Sequence, residues 1–372
     1  MTAYDVAIIG AGPAGAATAK LLATAGYRVC LLEQSTFTEP RVGESLAPAV
    51  QGALTQLGVW PAFLALDPLP SFGTRSAWGA DEVSEHSHLS TAYQNGWHVD
   101  RRRFDHMLAR CAAEAGAELR LGVRMQECVM EQGTDITLHV ADARSGSSAV
   151  KARFVVDATG RRAALARPCK ARHRVFDRLV GVAIEFRDPE AHRHCYTHVE
   201  ATAEGWWYVA PFAADRSMAM LMCDADLVRR NDFDDVQQWF SLLNRAPLTM
   251  ERICAGRVQW GPRIFPAVSQ RLVRTQGSPA HWLAVGDAAL AVDPISGSGV
   301  LRALKTAQAA AATVQRVLEG DATALYRYEA ERNAECTTYL LERASYYNYE
   351  QRWPNAPFWQ RRVTVLERAM AG

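Results

Sequence analysis

Gly10-Ala11-Gly12-Pro13-Ala14-Gly15 follows an apolar run, Tyr4 to Ile9, and opens a small-residue segment, Ala14 to Ala25, that reads as a helix ended by Gly26. A G-x-G-x-x-G turn in that strand-to-helix context can hold a dinucleotide diphosphate. Gly10 permits the tight turn, Gly12 lets backbone approach phosphate, and Gly15 lets helix and strand pack closely. The helix N-terminus, opened by Pro13 and Ala14, then offers free N–H groups to the anion. A second strand, Arg28 to Leu32, closes on Glu33 and Gln34. An acid at the position of Glu33 bonds ribose hydroxyls and disfavours a 2′-phosphate.

Two further segments bear on which dinucleotide is held. Asp157-Ala158-Thr159-Gly160 follows the apolar strand Phe154-Val155-Val156. Gly286-Asp287 follows a strand at 281–285 and leads into Asp293-Pro294-Ile295-Ser296-Gly297-Ser298-Gly299-Val300. A chain that returns a third time to its cofactor domain suits a long, extended ligand. Asp287 can bond a ribityl chain, or cap a helix. The glycines bring a helix N-terminus near a flavin ring, where its positive end would stabilise the anionic reduced form.

The positioning elements follow from pattern. The first 33 residues form a strand–helix–strand unit. Helices are expected over 102–116, 233–243 and 299–318. Segments 179–186, 194–202, 205–212 and 217–223 alternate β-branched and aromatic residues between turn signals, which predicts an antiparallel sheet. The fold class is α/β: a Rossmann-type FAD-binding domain (1–70, 97–168 and 277–330) with an inserted substrate domain (71–96 and 169–276). A C-terminal helical segment (331–372) is crowded with Tyr346, Tyr347, Tyr349, Trp353, Phe358 and Trp359 beside Arg352, Arg361 and Arg362.

Composition excludes other classes. The 372 residues are 49% hydrophobic and 22% charged, with net charge +1, so no global field draws nucleic acid or an anionic membrane. No apolar run reaches bilayer length, and a strand begins at Tyr4 without a signal peptide before it. The eight cysteines form no Cys-x-x-Cys pair and no metal-ligand spacing. They read as buried thiols of a reducing compartment. The expectation is a cytoplasmic, metal-free protein.

The three segments together resemble the FAD-dependent monooxygenases of the hydroxybenzoate-hydroxylase fold. The resemblance covers nearly the whole chain and implies FAD contacts at Gly10, Gly12, Gly15, Glu33, Arg41, Arg101, Asp287 and Gly299. Arg41 lies in Arg-Val-Gly-Glu-Ser-Leu, beside Glu44 and Ser45, and Arg101 opens Arg101-Arg102-Arg103, whose register stays open. Pro13, Ala14, Gln34, Ser45, Asp157, Gly160, Gly286, Pro294, Gly297, Ser298 and Val300 complete the expected cofactor set. In such enzymes reduced flavin and dioxygen form a C4a-hydroperoxide, which an electron-rich ring attacks. Electrons come from NAD(P)H directly or through a separate flavin reductase.

Arg41 to Leu46 and Gly205-Trp206-Trp207-Tyr208-Val209-Ala210-Pro211 are similar to the halogenase-like branch, although Tyr208 and Ala210 depart from its Gly-Trp-x-Trp-x-Ile-Pro motif. Halogenases need a lysine between flavin and substrate, and no lysine occurs from residue 21 through 150. The tail, Tyr346-Tyr347 then Arg352-Trp353-Pro354-Asn355-Ala356-Pro357-Phe358-Trp359, resembles the flavoprotein maturases of quinone-cofactor enzymes of the lysine-oxidase and glycine-oxidase type. That resemblance implies hydroxylation of a tryptophan in a partner quinoprotein subunit, docked near the tail, during cysteine tryptophylquinone biogenesis. The substrate wall is expected from Trp206, Trp207, Tyr208 and Pro211 opposite Pro294. Glu44, His98 and Tyr208 are candidate proton handlers, Glu44 foremost. The alternatives are a hydroxylase or halogenase of a small aromatic, a flavin reductase of isoprenoid double bonds, or a non-catalytic assembly partner.

Overall fold

In the computed structural model, which describes residues 3–130, 136–142, 146–253 and 257–362, the apolar strand Ala3–Ile9 lies in the parallel part of a seven-stranded sheet whose other edge, Ile136–Asp142 and Val123–Met130, is antiparallel. Val29–Glu33 pairs with it on one side and Gly146–Asp157 on the other. Glu118–Leu121 lies beyond Val29–Glu33, and Trp282–Ala284 runs parallel to the end of Gly146–Asp157. Strands covered on both faces need no polar alternation. Val6, Ile8 and Leu31 pack on one face with Phe104 and Leu304, from helices Arg101–Glu114 and Gly299–Leu318, which flank helix Pro13–Thr24. Ala7, Ile9 and Leu32 pack on the other. Asp100 caps the helix expected at 102–116, so it begins at Arg101. Asp235 accepts from the N–H groups of Gln237 and Gln238 and delays the helix expected from 233 to Val236–Leu243.

The second large sheet has the order Arg257–Pro266, Leu179–Arg187, Arg216–Asp224, Gly205–Ala213, Tyr196–Thr202, Gly73–Ala77, Ser84–Ser87. It differs from the expected antiparallel sheet at one seam, where Tyr196–Thr202 pairs in parallel with Gly73–Ala77. A parallel pair needs a long crossover, and the intervening chain, which returns to the first sheet, supplies it. Side chains alternate across a strand. Trp206 and Tyr208 therefore share one face, while Trp207 turns to the other and meets Trp239 edge-on at 4.8 Å.

The C-terminal helix Ala324–Tyr349 and the segment after it turn half of the tail's crowded aromatic rings into the core. Tyr347, Phe358 and Trp359 are buried in the core of the second sheet with Trp206. The Trp359 indole donates to the Thr202 carbonyl at 2.8 Å, and the Arg362 guanidinium stacks 3.4 Å over Phe358 while pairing with Asp224. Tyr346 and Tyr349 stay exposed. Residues 363–372, also in the expected tail, lie outside the described residues. Seven cysteines are free thiols, all buried except Cys195, and Cys254 lies outside the described residues. Among the described residues no helix is long and apolar enough to cross a membrane.

Candidate active site

A cavity of about 580 Å³ runs from the end of the parallel sheet to the face of the second sheet. Its first end is built by backbone. Gly10 has φ 102, and a Cβ there would meet the Ala158 carbonyl oxygen at 2.4 Å. A Cβ on Gly15 would lie 1.9 Å from the Gly10 oxygen, so Gly15 serves the helix–strand contact and does not line the cavity. The Cβ direction of Gly12 meets nothing within 4 Å, and Gly12 is the N-cap of helix Pro13–Thr24. Glu33 accepts from the Ala11 and Ser35 amides at 2.8 and 2.9 Å, which fixes its carboxylate at the cavity beside Gln34.

Arg41 and Arg101 both reach the cavity and both pair with buried Asp105, at 2.7 and 3.0 Å. Of the three arginines in the run, Arg101 is the one that lines the cavity: Arg102 pairs instead with Asp100, and Arg103 is exposed. The third segment contributes Asp287, Pro294, Gly297, Gly299 and Val300. Arg161, which sequence reasoning did not single out, stands 3.4 Å from Asp287 and donates to the Val292 carbonyl at 2.8 Å.

Besides Gly15, three expected contacts lie off the wall. The Asp157 carboxylate is buried and accepts from Thr159 and from the Leu165 amide, an Asx-type turn that uses its oxygens internally. Gly286 has φ 60, and its Cβ direction meets the Ala14 side chain. Ser298 bonds Ser296. Asp157, Gly286 and Ser298 shape the turns that carry Gly160, Asp287 and Gly299. The remaining set fits FAD: the Cβ directions of Gly12, Gly160, Gly297 and Gly299 are open, and Arg41, Arg101, Glu33 and Asp287 line the same cavity.

The far end is apolar and aromatic. Trp206 and Tyr208 line it with Met220, Met222 and Phe265. Gly181 leaves room for the Met220 sulfur, which a Cβ would approach to 2.2 Å. Trp207 and Pro211 are off this wall: Trp207 faces Trp239, and Pro211 does not reach the cavity. No lysine is among the lining residues.

Glu44 also lies off the wall, behind Tyr208. The Tyr208 hydroxyl donates to Glu44 Oε2 at 3.2 Å and shares a hydrogen bond with the Ser45 hydroxyl at 2.9 Å. Ser45 bonds Thr197 at 2.8 Å, and Thr197 bonds His98 Nε2 at 3.1 Å. The candidate proton handlers thus form one hydrogen-bonded line. Burial pushes the Glu44 carboxyl up to about 7, although the Gly43 and Glu44 backbone amides and the Arg101 charge oppose it. Burial first, then the Glu44 charge, pushes the Tyr208 phenol well above its ordinary value. Burial and the nearby His88, His198 and Arg252 push His98 down to about 3.

Sequence reasoning also missed a buried cluster behind the Pro294 loop. Asp293 accepts from the Tyr347 hydroxyl at 2.7 Å and lies 3.4 Å from Arg343, which pairs with Asp177 at 3.0 Å. Its signal was a charged residue at helical spacing before the tail aromatics, Arg343 four residues from Tyr347.

Fold and site together define an FAD-dependent oxidoreductase. The chain belongs to the FAD binding domain family, whose model matches residues 3–342. It is 27% identical over 365 residues, 97% of each chain, to LodB of Marinomonas mediterranea, assigned as an FAD-dependent oxidoreductase. In fold it matches the myxobacterial chondrochloren halogenase CndH at TM-score 0.88, with 24% identity over all of this chain and 89% of that one. It also matches QhpG, a peptidyl tryptophan dihydroxylase essential for tryptophylquinone cofactor biogenesis, at TM-score 0.72 and 23% identity over 97% and 79% of the two chains.

Proposed function

We propose that this protein is an FAD-dependent monooxygenase that hydroxylates an aromatic ring, the tryptophan of a partner quinoprotein subunit. The observation that carries the reading is the continuity of one cavity from the glycine cradle to a wall of Trp206, Tyr208, Met220, Met222 and Phe265. Bound FAD would supply oxygen activation there, with electrons from NAD(P)H or a separate flavin reductase. Gly12, Arg41 and Arg101 would hold the diphosphate region, Glu33 a ribose, and Asp287 and Gly299 the ribityl and ring end. The apolar wall would orient an electron-rich ring and exclude water. Indole needs no deprotonation before attack, which agrees with a wall whose ionisable group is the high-pKa Tyr208.

The fold shared with QhpG, a peptidyl tryptophan dihydroxylase, and the resemblance of the tail to the quinone-cofactor maturases support tryptophan within a partner protein over a free aromatic. The fold shared with CndH favours a second reading, halogenation. The lysine-free lining speaks against it. With Phe358 and Trp359 buried, docking near the tail would rest on exposed Tyr346 and Tyr349.

The test is to reduce the FAD-loaded protein, mix it with oxygenated buffer, a halide and a tryptophan-containing quinoprotein subunit, and weigh the subunit's peptides. Oxygen added to a tryptophan is the expected result. Halogen added instead would establish the second reading. Flavin reoxidation with the subunit unchanged would overturn both.

A further inference from the structure

Behind Tyr208 the structure contains a second, small chamber. It is walled by Glu44, Asp100, Arg101, Arg102 and Glu185, with Phe212 and Met218 closing the apolar side. Its volume is about 10 Å³, room for about one water. Three observations converge on it. Glu44 is fully buried, and its Oε1 has no hydrogen-bond partner although Oε2 is held by Tyr208 and the Gly43 amide. An unsatisfied buried carboxylate oxygen is costly, so its persistence beside a water-sized polar chamber calls for an account. The opposite walls, Asp100 and Glu185, are both bonded to Arg216, which is about a third exposed, and Asp100 to Arg102, about a quarter exposed. The chamber therefore joins a buried acid to solvent-facing groups.

We propose that Glu44 and this chamber form a proton exit from the aromatic cavity to solvent. The inference rests on the hydroxylation reading. When a ring C–O bond forms, the hydrogen on that carbon must leave as a proton while its electron pair returns to the ring. The Tyr208 oxygen accepts that proton as its own hydroxyl proton passes to Glu44 Oε2. Glu44, ionised at the start, takes this proton on Oε2; rotation of the carboxyl about its Cγ–Cδ bond turns the protonated oxygen to the chamber, where it releases the same proton to the chamber water, which passes one to bulk past Arg102 and Arg216 and leaves Glu44 ionised again. No group in the relay is oxidised or reduced. The Ser45–Thr197–His98 line is a branch that ends in a buried histidine whose low basicity makes it a poor proton store.

Charge around Glu44 permits the cycle. Arg101 and Arg41 face it from the helix and the preceding loop, Asp100 and Glu185 from across the chamber, and Tyr208 from the cavity side. Burial holds its carboxyl near neutrality, so both protonation states are accessible. Burial would raise Asp100 too, but the Arg102 hydrogen bonds keep it below its ordinary value and ionised.

The experiment uses the FAD-loaded full chain. Infrared difference spectra without substrate should show a carboxyl band that titrates near neutral pH and disappears in Glu44→Gln. In D2O the band should shift promptly in the wild type and slowly in Met218→Phe, which fills the chamber and leaves the cavity wall intact. With substrate, turnover should rise through about pH 7 in the wild type. It should fall about 10²-fold in Glu44→Gln, with that rise lost, and partly recover in Glu44→Asp. Hydroxylation in Glu44→Gln at the wild-type rate and pH profile, or equal deuterium exchange in Met218→Phe, would overturn the exit. Normal infrared titration and exchange with no hydroxylation of any substrate would instead count against the hydroxylation reading.

Discussion

Trp206 donates its indole N–H to the Tyr347 hydroxyl at 3.0 Å, and that hydroxyl in turn donates to Asp293. One residue of the C-terminal helix thus ties the aromatic cavity wall to the first residue of the loop that carries Pro294, Gly297 and Gly299. Arg343 and Asp177 extend the tie to the start of the second sheet. The indole edge is fixed by the hydrogen bond, so the ring presents a set surface to the cavity.

Tyr347→Phe keeps the ring in its aromatic cluster and deletes only the hydroxyl. The Trp206 N–H loses its acceptor, and Asp293 keeps Arg343 but loses its shortest bond. Leaving such buried groups unpaired costs about 1–3 kcal/mol. Denaturant unfolding should show that loss at unchanged m-value. Flavin content should hold, because Tyr347 does not line the cavity.

Gly12 and Gly15 belong to the same motif but should fail differently. A side chain at Gly12 enters open cavity, so Gly12→Val should fold, give a normal far-ultraviolet spectrum and bind no FAD. A side chain at Gly15 strikes the Gly10 carbonyl, so Gly15→Val should lose soluble protein altogether. Flavin retained in Gly12→Val would remove the diphosphate assignment.

The glycine cradle was legible because its determinants are local: strand, turn and helix are contiguous. Four strands of the second sheet were legible for the same reason, since each is a local run of β-branched and aromatic residues between turn signals, whereas Gly73–Ala77, Ser84–Ser87 and Arg257–Pro266 carry no such run. What depended on register was not. Trp206, Trp207 and Tyr208 read alike in sequence, and only pairing of Trp207 with Leu221 and Tyr208 with Met220 decides which ring faces the cavity. Met220 and Met222 reach the wall through that pairing, with no motif of their own. Asp157 looked like a ligand because it follows a strand, yet Thr159 two residues on marks an Asx turn that uses its carboxylate locally. The burial of Glu44 needed the second sheet to close over it.

Acid should destabilise the protein early, through two buried histidines. Burial, aided by neighbouring cationic groups, holds His98 down to about 3 and His198 to about 4. Unfolded, each titrates near 6.5. Between those values the unfolded chain binds more protons at these sites, so the histidines' contribution to stability is full above about pH 6.5 and falls as pH drops toward 4. Each histidine contributes a slope of up to about 1.4 kcal/mol per pH unit. Unfolding free energies at stepped pH should show His98→Gln with a shallower acid limb than the wild type. Parallel limbs would mean that His98 is protonated in the folded state.

Removing the chain after Glu350 would delete more than a surface. Trp359 stacks on Trp353, meets Trp78 at 5.4 Å and donates to the Thr202 carbonyl, while Phe358 fills the space beneath Arg362. Truncating either buried ring to alanine costs about 3–5 kcal/mol, and losing both together with the Arg362–Asp224 pair exceeds the reserve of many domains. The truncated chain should therefore show a lowered melting temperature or insolubility, and any loss of partner binding in it would report unfolding of the second sheet. Docking is better tested by Tyr346→Ser and Tyr349→Ser, whose rings are exposed. Tyr349→Ser should melt within a degree or two of the wild type, since surface changes stay within about 0.5 kcal/mol. Weaker capture of the quinoprotein subunit at that unchanged melting temperature would assign the contact to the tail. Capture of equal strength would move the contact elsewhere on the molecule.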